Sequence, residues 1–96
     1  MINKWELIGK IKSSEWRFKV LKILKENMKT PSELSKEANI SSSHISEVIK
    51  DLREMKLIEC KNPNLRKGKI FSITNLGKEI LKEVETYSNV IERVTK

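Results

Sequence analysis

The chain has 96 residues, the size of one domain, and its 20 lysines and arginines outnumber 13 acidic residues. The net charge of +7 indicates a polyanionic partner such as nucleic acid. No apolar run approaches the roughly 20 residues of a membrane span, and the polar N-terminus does not predict a signal peptide. One cysteine and one histidine exclude a disulfide framework and a single-chain zinc cluster. We therefore expect a cytoplasmic protein that is not an enzyme and holds no cofactor.

The positive charge is unevenly distributed along the chain. Residues 1–29 carry 8 basic and 3 acidic side chains, a net charge of +5. Residues 61–69 carry 4 basic side chains and no acidic one, whereas residues 30–60 have a net charge of −2 and residues 70–96 are neutral. The first third of the chain and one nine-residue stretch therefore hold the excess.

Two helices are predicted at the start of the chain. Asn3 and a glutamate three residues later are typical of a capping box, and apolar residues at helical spacing predict a short helix over 4–12. A wider apolar stripe predicts a second helix over 14–28. Trp5 and Trp16 lie on these stripes, so we expect both in the core or at an interface.

A helix-turn-helix follows. Thr30, a proline and a glutamate stand at the spacing that begins a helix, which ends near Asn39, a residue suited to a left-handed turn. Ser41 caps the next helix, over 41–56. Two helices joined by about three residues are a helix-turn-helix signature. The predicted buried face of the second of them consists of Ile45, Val48, Ile49, Leu52 and Met55.

A hairpin and a long helix complete the chain. Residues 57–60 and 69–74 are predicted strands on either side of a polar, basic loop rich in turn residues. Thr74 caps the last helix, whose apolar residues form a heptad-like seam. We expect this seam to form a homodimer, although the helix can instead fold back on residues 2–11, which also carry an apolar face. The seam residues are Ile80, Val84, Tyr87, Ile91 and Val94.

This order of elements resembles a winged helix-turn-helix domain, and three segments are similar to small regulators of the ArsR and MarR kind, many of them archaeal. SSEWRFKVLKIL resembles their first helix, and PSELSKEANISSSHISEVIKDLREMKLIEC resembles their helix-turn-helix and first wing strand. FSITNLGKEIL resembles the segment that closes the wing, with Thr74 to Gly77 as its Thr-x-x-Gly. The resemblance covers about residues 13–82.

The resemblance implies one mainly helical domain over 1–96, with a small hairpin wing, a core at about 13–76 and a dimerisation helix over 77–96. In such domains the recognition helix, here 41–56, enters the major groove, while a basic wing, here 61–69, contacts the DNA backbone or the minor groove. We therefore expect a homodimeric, nucleoid-associated transcription regulator that binds double-stranded DNA. The candidate DNA-binding residues are Thr30, Ser32, Ser41, Ser42, Ser43, His44, Ser46, Glu47, Lys50, Lys61, Asn64, Arg66, Lys67 and Lys69.

The chain departs from the family pattern in three ways. Lys56 stands where a left-handed glycine usually ends the recognition helix, so either a lysine is left-handed here or the helix ends differently. The cysteine and histidine clusters of metal-sensing relatives are missing, and Glu47 stands where a basic residue is common. Serines at a helix start also serve as caps, and Glu47 can pair with Lys50. An architectural chromosomal protein and a protein-binding winged-helix module therefore stay open as alternatives.

Overall fold

The computed structural model describes the backbone of residues 3–95 and the side chains of residues 3–86. Within that range there are five helices and a two-stranded antiparallel hairpin, which confirms the predicted mainly helical fold with a small wing. None of the described helices is long and apolar enough to cross a membrane. The elements are α1 (Lys4–Lys12), α2 (Glu15–Glu26), α3 (Pro31–Ala38), α4 (Ser42–Glu54), β1 (Ile58–Cys60), β2 (Phe71–Ile73) and α5 (Asn75–Thr95).

The first four helices begin at the predicted capping residues. The side chains of Asn3, Ser14, Thr30 and Ser41 each accept a hydrogen bond from the backbone N–H three residues further on. At α3 the box is complete, because the carboxylate of Glu33 also accepts from the backbone N–H of Thr30. The first N–H groups of a helix have no partner within it, so these side chains fix where each helix begins.

Left-handed residues end the two helices of the helix-turn-helix. Asn39 has φ 56° after α3, as predicted, and Lys56 has φ 64° after α4. The backbone N–H of Leu57 donates to the carbonyl oxygen of Leu52, and that of Lys56 donates to Arg53, both at 3.0 Å. These two bonds define a Schellman motif, in which the left-handed position is usually glycine. Of the two alternatives at this point, the left-handed lysine is the one that the structure has.

Thr74 joins the end of α4 to the start of α5. Its hydroxyl donates to the carbonyl oxygen of Lys56 at 2.8 Å and accepts from the backbone N–H of Gly77 at 3.0 Å. The backbone N–H of Thr74 donates to the carbonyl oxygen of Leu57 at 3.0 Å. A Cβ on Gly77 would clash with that same carbonyl oxygen. The Thr-x-x-Gly segment therefore closes the wing with one hydroxyl and one residue that has no side chain.

The wing is a two-stranded hairpin, and one residue of a third segment pairs with it. The strands β1 and β2 pair in the register Ile58↔Ile73, Glu59↔Ser72 and Cys60↔Phe71. On the other side of β2, Lys29 and Phe71 exchange both backbone hydrogen bonds, at 3.1 and 2.8 Å. The link between α2 and α3 is therefore bonded to the wing.

One hydrophobic core joins all of these elements. The predicted inner face of α4 is confirmed, since all five of its residues are buried. Both α1 and α5 contribute to this hydrophobic core. The α1 members are Leu7, Ile8 and Ile11. The α5 members are Ile80, Leu81 and Val84.

This packing corrects the first part of the predicted dimer seam. Ile80 and Val84 are 0% and 2% exposed, because α5 packs on α1 of the same chain. The ammonium of Lys4 strengthens this contact, lying 3.2 Å from Glu79 and 3.5 Å from Glu83. Ile80 and Val84 are thus not available to a second copy, and the alternative in which the helix folds back on the N-terminal helix describes this part of α5. The other seam residues are Tyr87, Ile91 and Val94, whose side chains lie outside the described residues.

The two tryptophans are not core residues, contrary to one of the two predicted locations. Trp5 is 66% exposed and Trp16 is 42% exposed. Trp5, Ile8 and Ile11 recur every three residues, and such a repeat drifts around a helix that has 3.6 residues per turn. Trp5 therefore lies away from the face that α1 buries. On α2 the buried face is formed by Val20, Leu21 and Leu24, and Trp16 lies at its edge.

Replacing Lys56 by glycine should stabilise the domain. A left-handed lysine is strained by about 1 kcal/mol relative to glycine, so Lys56→Gly should raise Tm by roughly 4–8 °C in thermal unfolding. Asn39→Gly is the matched control, because asparagine tolerates the left-handed conformation and the gain there should be smaller. A Tm for Lys56→Gly equal to or below that of the unchanged chain would contradict this prediction.

Candidate nucleic-acid interface

The helix α4 and its capping residue present a row of polar side chains to solvent. Its apolar face is buried against the rest of the domain, which orients the helix and leaves the opposite face outward. Hydroxyl groups dominate this outward face, and they can both donate and accept hydrogen bonds. The predicted residues that the structure places here, all of them exposed, are Ser41, Ser42, Ser43, His44, Ser46, Glu47 and Lys50.

His44 is held between two neighbours at the start of α4. Its Nδ1 lies 3.0 Å from the hydroxyl oxygen of Ser41. Its ring lies against the indole of Trp16, with 4.7 Å between the ring centroids and 39° between the planes. The first turn of α2 therefore supports the exposed start of α4. Trp16 was predicted as a core or interface residue, and its partner was not apparent because nothing in the sequence relates the two helices at this point.

A groove between α3 and α4 brings the serines of both helices together. Ser32 of α3 and the pair Ser42 and Ser46 of α4 line it. Lys36 lines the same groove, although it is not among the candidate residues named from the sequence. Its position one helical turn after Ser32 is the signal that the two side chains share a face of α3. The groove thus combines hydroxyl groups with one ammonium group.

Thr30 is used within the protein. Its hydroxyl caps the N–H of Glu33 at 3.2 Å, and its own N–H donates to the carboxylate of Glu33 at 2.9 Å. The hydrogen bond from the backbone N–H of Thr30 to the Glu33 carboxylate, with a smaller effect of the Thr30 side chain, lowers the pKa of Glu33. The hydroxyl and the backbone N–H of Thr30, a candidate DNA-binding residue, are therefore both engaged in the capping box.

Asn62 sets the shape of the wing. Its Oδ1 accepts from the backbone N–H of Ile70 at 2.8 Å, and its Nδ2 donates to the carbonyl oxygen of Gly68 at 3.1 Å. Gly68 has φ 71°, a conformation that side chains disfavour. One amide therefore bridges the loop and holds its basic tip in place.

The charged side chains of the wing divide into two groups. Lys61 is paired with Glu59 at 2.9 Å. The side chains of Arg66 and Lys67 are exposed at the tip and make no ion pair with any residue in 3–86. Asn64 is also exposed, and Lys69 is half-buried at the base. The tip thus carries two unneutralised cations.

Ion pairs change the charge balance that the sequence suggested. Arg17 of α2 lies 3.0 Å from Asp51 of α4, and Lys29 lies 2.8 Å from Glu37. The hydrogen bond that the ammonium of Lys29 donates to the carboxylate of Glu37 raises the pKa of Lys29. The first third of the chain is therefore less basic toward solvent than its net charge of +5 indicates, and α4 is less acidic.

The described part of the chain contains no set of side chains that could hold a metal ion. No cluster of three or more histidine, cysteine or acidic side chains lies within it. The thiol of Cys60 is half-buried and donates to Oδ1 of Asn62 at 3.5 Å.

The fold is similar to that of several solved structures. A MarR family transcription regulator has a TM-score of 0.75 and 17% identity, covering 85% of this chain and 56% of that one. The adhesin competence repressor AdcR of Streptococcus pyogenes has a TM-score of 0.68 and 22% identity, covering 85% and 62%. Wild-type ZitR of Lactococcus lactis, solved in complex with DNA, has a TM-score of 0.65 and 20% identity, covering 83% and 56%.

These similarities establish the fold, and the family follows from a match along the sequence. The chain spans about three-fifths of the length of the MarR-type structures that it matches. A comparison with curated proteins finds no match. The model of the winged helix-turn-helix family matches residues 12–92, which include the whole helix-turn-helix, the wing and most of α5. The chain therefore belongs to the winged helix-turn-helix family.

Proposed function

We propose that the chain is a transcription regulator that binds double-stranded DNA as a homodimer, with α4 in the major groove and the wing on the DNA backbone. The observation that carries this proposal is the outward face of α4, which exposes hydroxyl groups on a helix whose other face is fixed in the core. ZitR, which has the same fold, has been solved with DNA, and that complex supports the assignment of a DNA partner.

The side chains of α4 would supply sequence preference. The hydroxyl groups of Ser42, Ser43 and Ser46 fit either base edges or phosphate oxygens. Lys50 can reach a guanine or a phosphate, and Glu47 can accept from the amino group of a cytosine while repelling phosphates. The held ring of His44 adds a flat, polar group at the end of the helix that first meets the base pairs.

The wing would supply affinity and orientation. Contacts to phosphates carry no sequence information, but they position a domain on the duplex and contribute a large part of the binding free energy. Arg66 and Lys67 are suited to this role because no carboxylate in the described residues neutralises them.

A homodimer would place two α4 helices on one face of the DNA. Ile80 and Val84 belong to the core of a single copy, so the proposed contact moves to the later seam positions Tyr87, Ile91 and Val94. A two-fold dimer binds two half-sites about one helical turn apart, which predicts a palindromic site.

Selection of bound duplexes from a random pool tests the function directly. A regulator should enrich a palindrome with a fixed half-site spacing. Equal recovery of all duplexes would indicate an architectural protein, and the absence of salt-sensitive DNA binding would indicate a protein-binding module. In cells, we expect the protein to lie in the cytoplasm and to be associated with the nucleoid.

Reversing the charge of the wing tip should remove most of the DNA affinity. The change Arg66→Glu with Lys67→Glu replaces two unpaired cations by two anions. The slope of log K against log salt, about −0.9 per neutralised phosphate, should become shallower by about two such contacts. Lys78→Glu with Lys82→Glu is the matched control, since both lysines are exposed on α5, which carries none of the candidate DNA-binding residues. Unchanged affinity at moderate salt would exclude the wing as the contact.

Truncation after Val84 should give a folded monomer. Val84 is the last core residue of α5 among the described side chains of residues 3–86, so the truncation retains the described contact with α1 while removing the later seam residues. Light scattering after size-exclusion chromatography measures the mass, and thermal unfolding checks the fold. A dimer that survives truncation would place the interface elsewhere, such as on the N-terminal helix.

A further inference from the structure

Three basic side chains line a groove that begins on α4 and continues toward the wing. Lys50, Arg53 and Lys56 stand three residues apart, and together with Ser46, Ile49 and Glu54 they line the first part, here called the α4 groove. Arg53 and Lys56 also line an adjoining groove, whose other side is formed by residues of β1 and the wing. The basic side chains therefore lie between the two elements that are proposed to contact DNA.

The charges in the α4 groove are not neutralised by ion pairs. Lys50, Arg53 and Lys56 are all exposed, and none of them forms an ion pair within residues 3–86. The guanidinium of Arg53 lies over the ring of Phe71, 5.7 Å from its centroid, which orients the group and preserves its charge. Glu54 is the acidic member of the lining, so the α4 groove has a formal charge of +2.

Lys56 is a residue that the fold does not require. Its φ of 64° favours glycine, and its carbonyl oxygen, which Thr74 binds, would be supplied by any residue. Neither the backbone nor the core therefore explains a lysine here. The exposed ammonium beside Arg53 is the feature that glycine would lack.

We propose that Arg53 and Lys56, with Lys50, bind successive phosphates of one DNA strand as it passes from α4 to the wing. This inference rests on the proposed function and adds Arg53 and Lys56, which are not among the candidate DNA-binding residues named from the sequence. Guanidinium groups bind phosphate oxygens in pairs, whereas ammonium groups act as point charges, so both types suit a phosphate track. The contact would add affinity without sequence preference.

A set of substitutions at Lys56 separates charge from backbone strain. Lys56→Gly and Lys56→Ala both remove the ammonium, while Lys56→Arg retains a charge. Binding of a labelled duplex is measured by fluorescence anisotropy between 50 and 200 mM salt. The glycine and alanine variants should each bind roughly fivefold to tenfold more weakly, with a salt slope shallower by about 0.9, and the arginine variant should bind as the unchanged chain does.

Thermal unfolding of the same variants tests whether a loss of stability could explain weaker DNA binding. Lys56→Gly should melt at a higher temperature and yet bind DNA more weakly, an outcome that unfolding cannot produce. Arg53→Gln should make the salt slope shallower by a similar amount. Combined with Lys56→Ala, it should weaken DNA binding further than either substitution alone. If the unchanged chain binds DNA while the Lys56 variants keep its affinity and slope, the inference is wrong and the proposed function stands. If the unchanged chain binds no duplex, the proposed function itself fails.

Discussion

The placement of the recognition helix relative to the wing depends on one hydroxyl group. The hydroxyl of Thr74 donates to the carbonyl oxygen of Lys56 and accepts from the backbone N–H of Gly77 in α5, so the end of α4, the hairpin and the last helix meet at one side chain. Gly77 makes this possible, because a side chain there would push α5 away from Leu57. The rest of the domain builds on this junction: α5 leaves it in the direction that lets α1 cover its apolar residues, and β2 leaves it toward Lys29.

Charge acts through its pairing more than through its total. Arg17, Lys29 and Lys61 each lie within 3.0 Å of a carboxylate, whereas the cations of the wing tip and the α4 groove form no ion pair with any described side chain of residues 3–86. Exposed ion pairs contribute little to stability, so their larger effect here is to reduce the basic charge that a polyanion would meet at these three positions. The cations of the wing tip and the α4 groove flank the hydroxyl-rich outer face of α4. The positive charge that is available to a polyanion is therefore concentrated around this face, which the net charge of +7 alone does not reveal.

Local signals were sufficient to predict the elements and their order. Capping residues, the left-handed Asn39 and the inner face of α4 involve neighbours within one or two helical turns, so they are encoded in short stretches of sequence. The role of α1 was harder to predict, because Ile80 and Val84 have the same apolar pattern whether they face a second copy or the N-terminal helix. The contact of Trp16 with His44, and the groove in which Lys36 lies beside the serines of α4, join residues of different helices. Spacing within one helix carries no information about such pairs.

The bonded pair of Lys29 and Phe71 has a consequence for the DNA as well as for the protein. This pair makes the link before α3 an edge of the wing sheet, so the helix-turn-helix and the wing are braced against each other. A duplex that touches both α4 and the wing must then adopt the separation that the sheet sets, and any mismatch is accommodated by bending or compressing the base steps in between. Such deformation costs less at flexible pyrimidine–purine steps than in stiff A-tracts. Selectivity would then extend to base pairs that no side chain contacts, through the mechanical softness of the DNA itself.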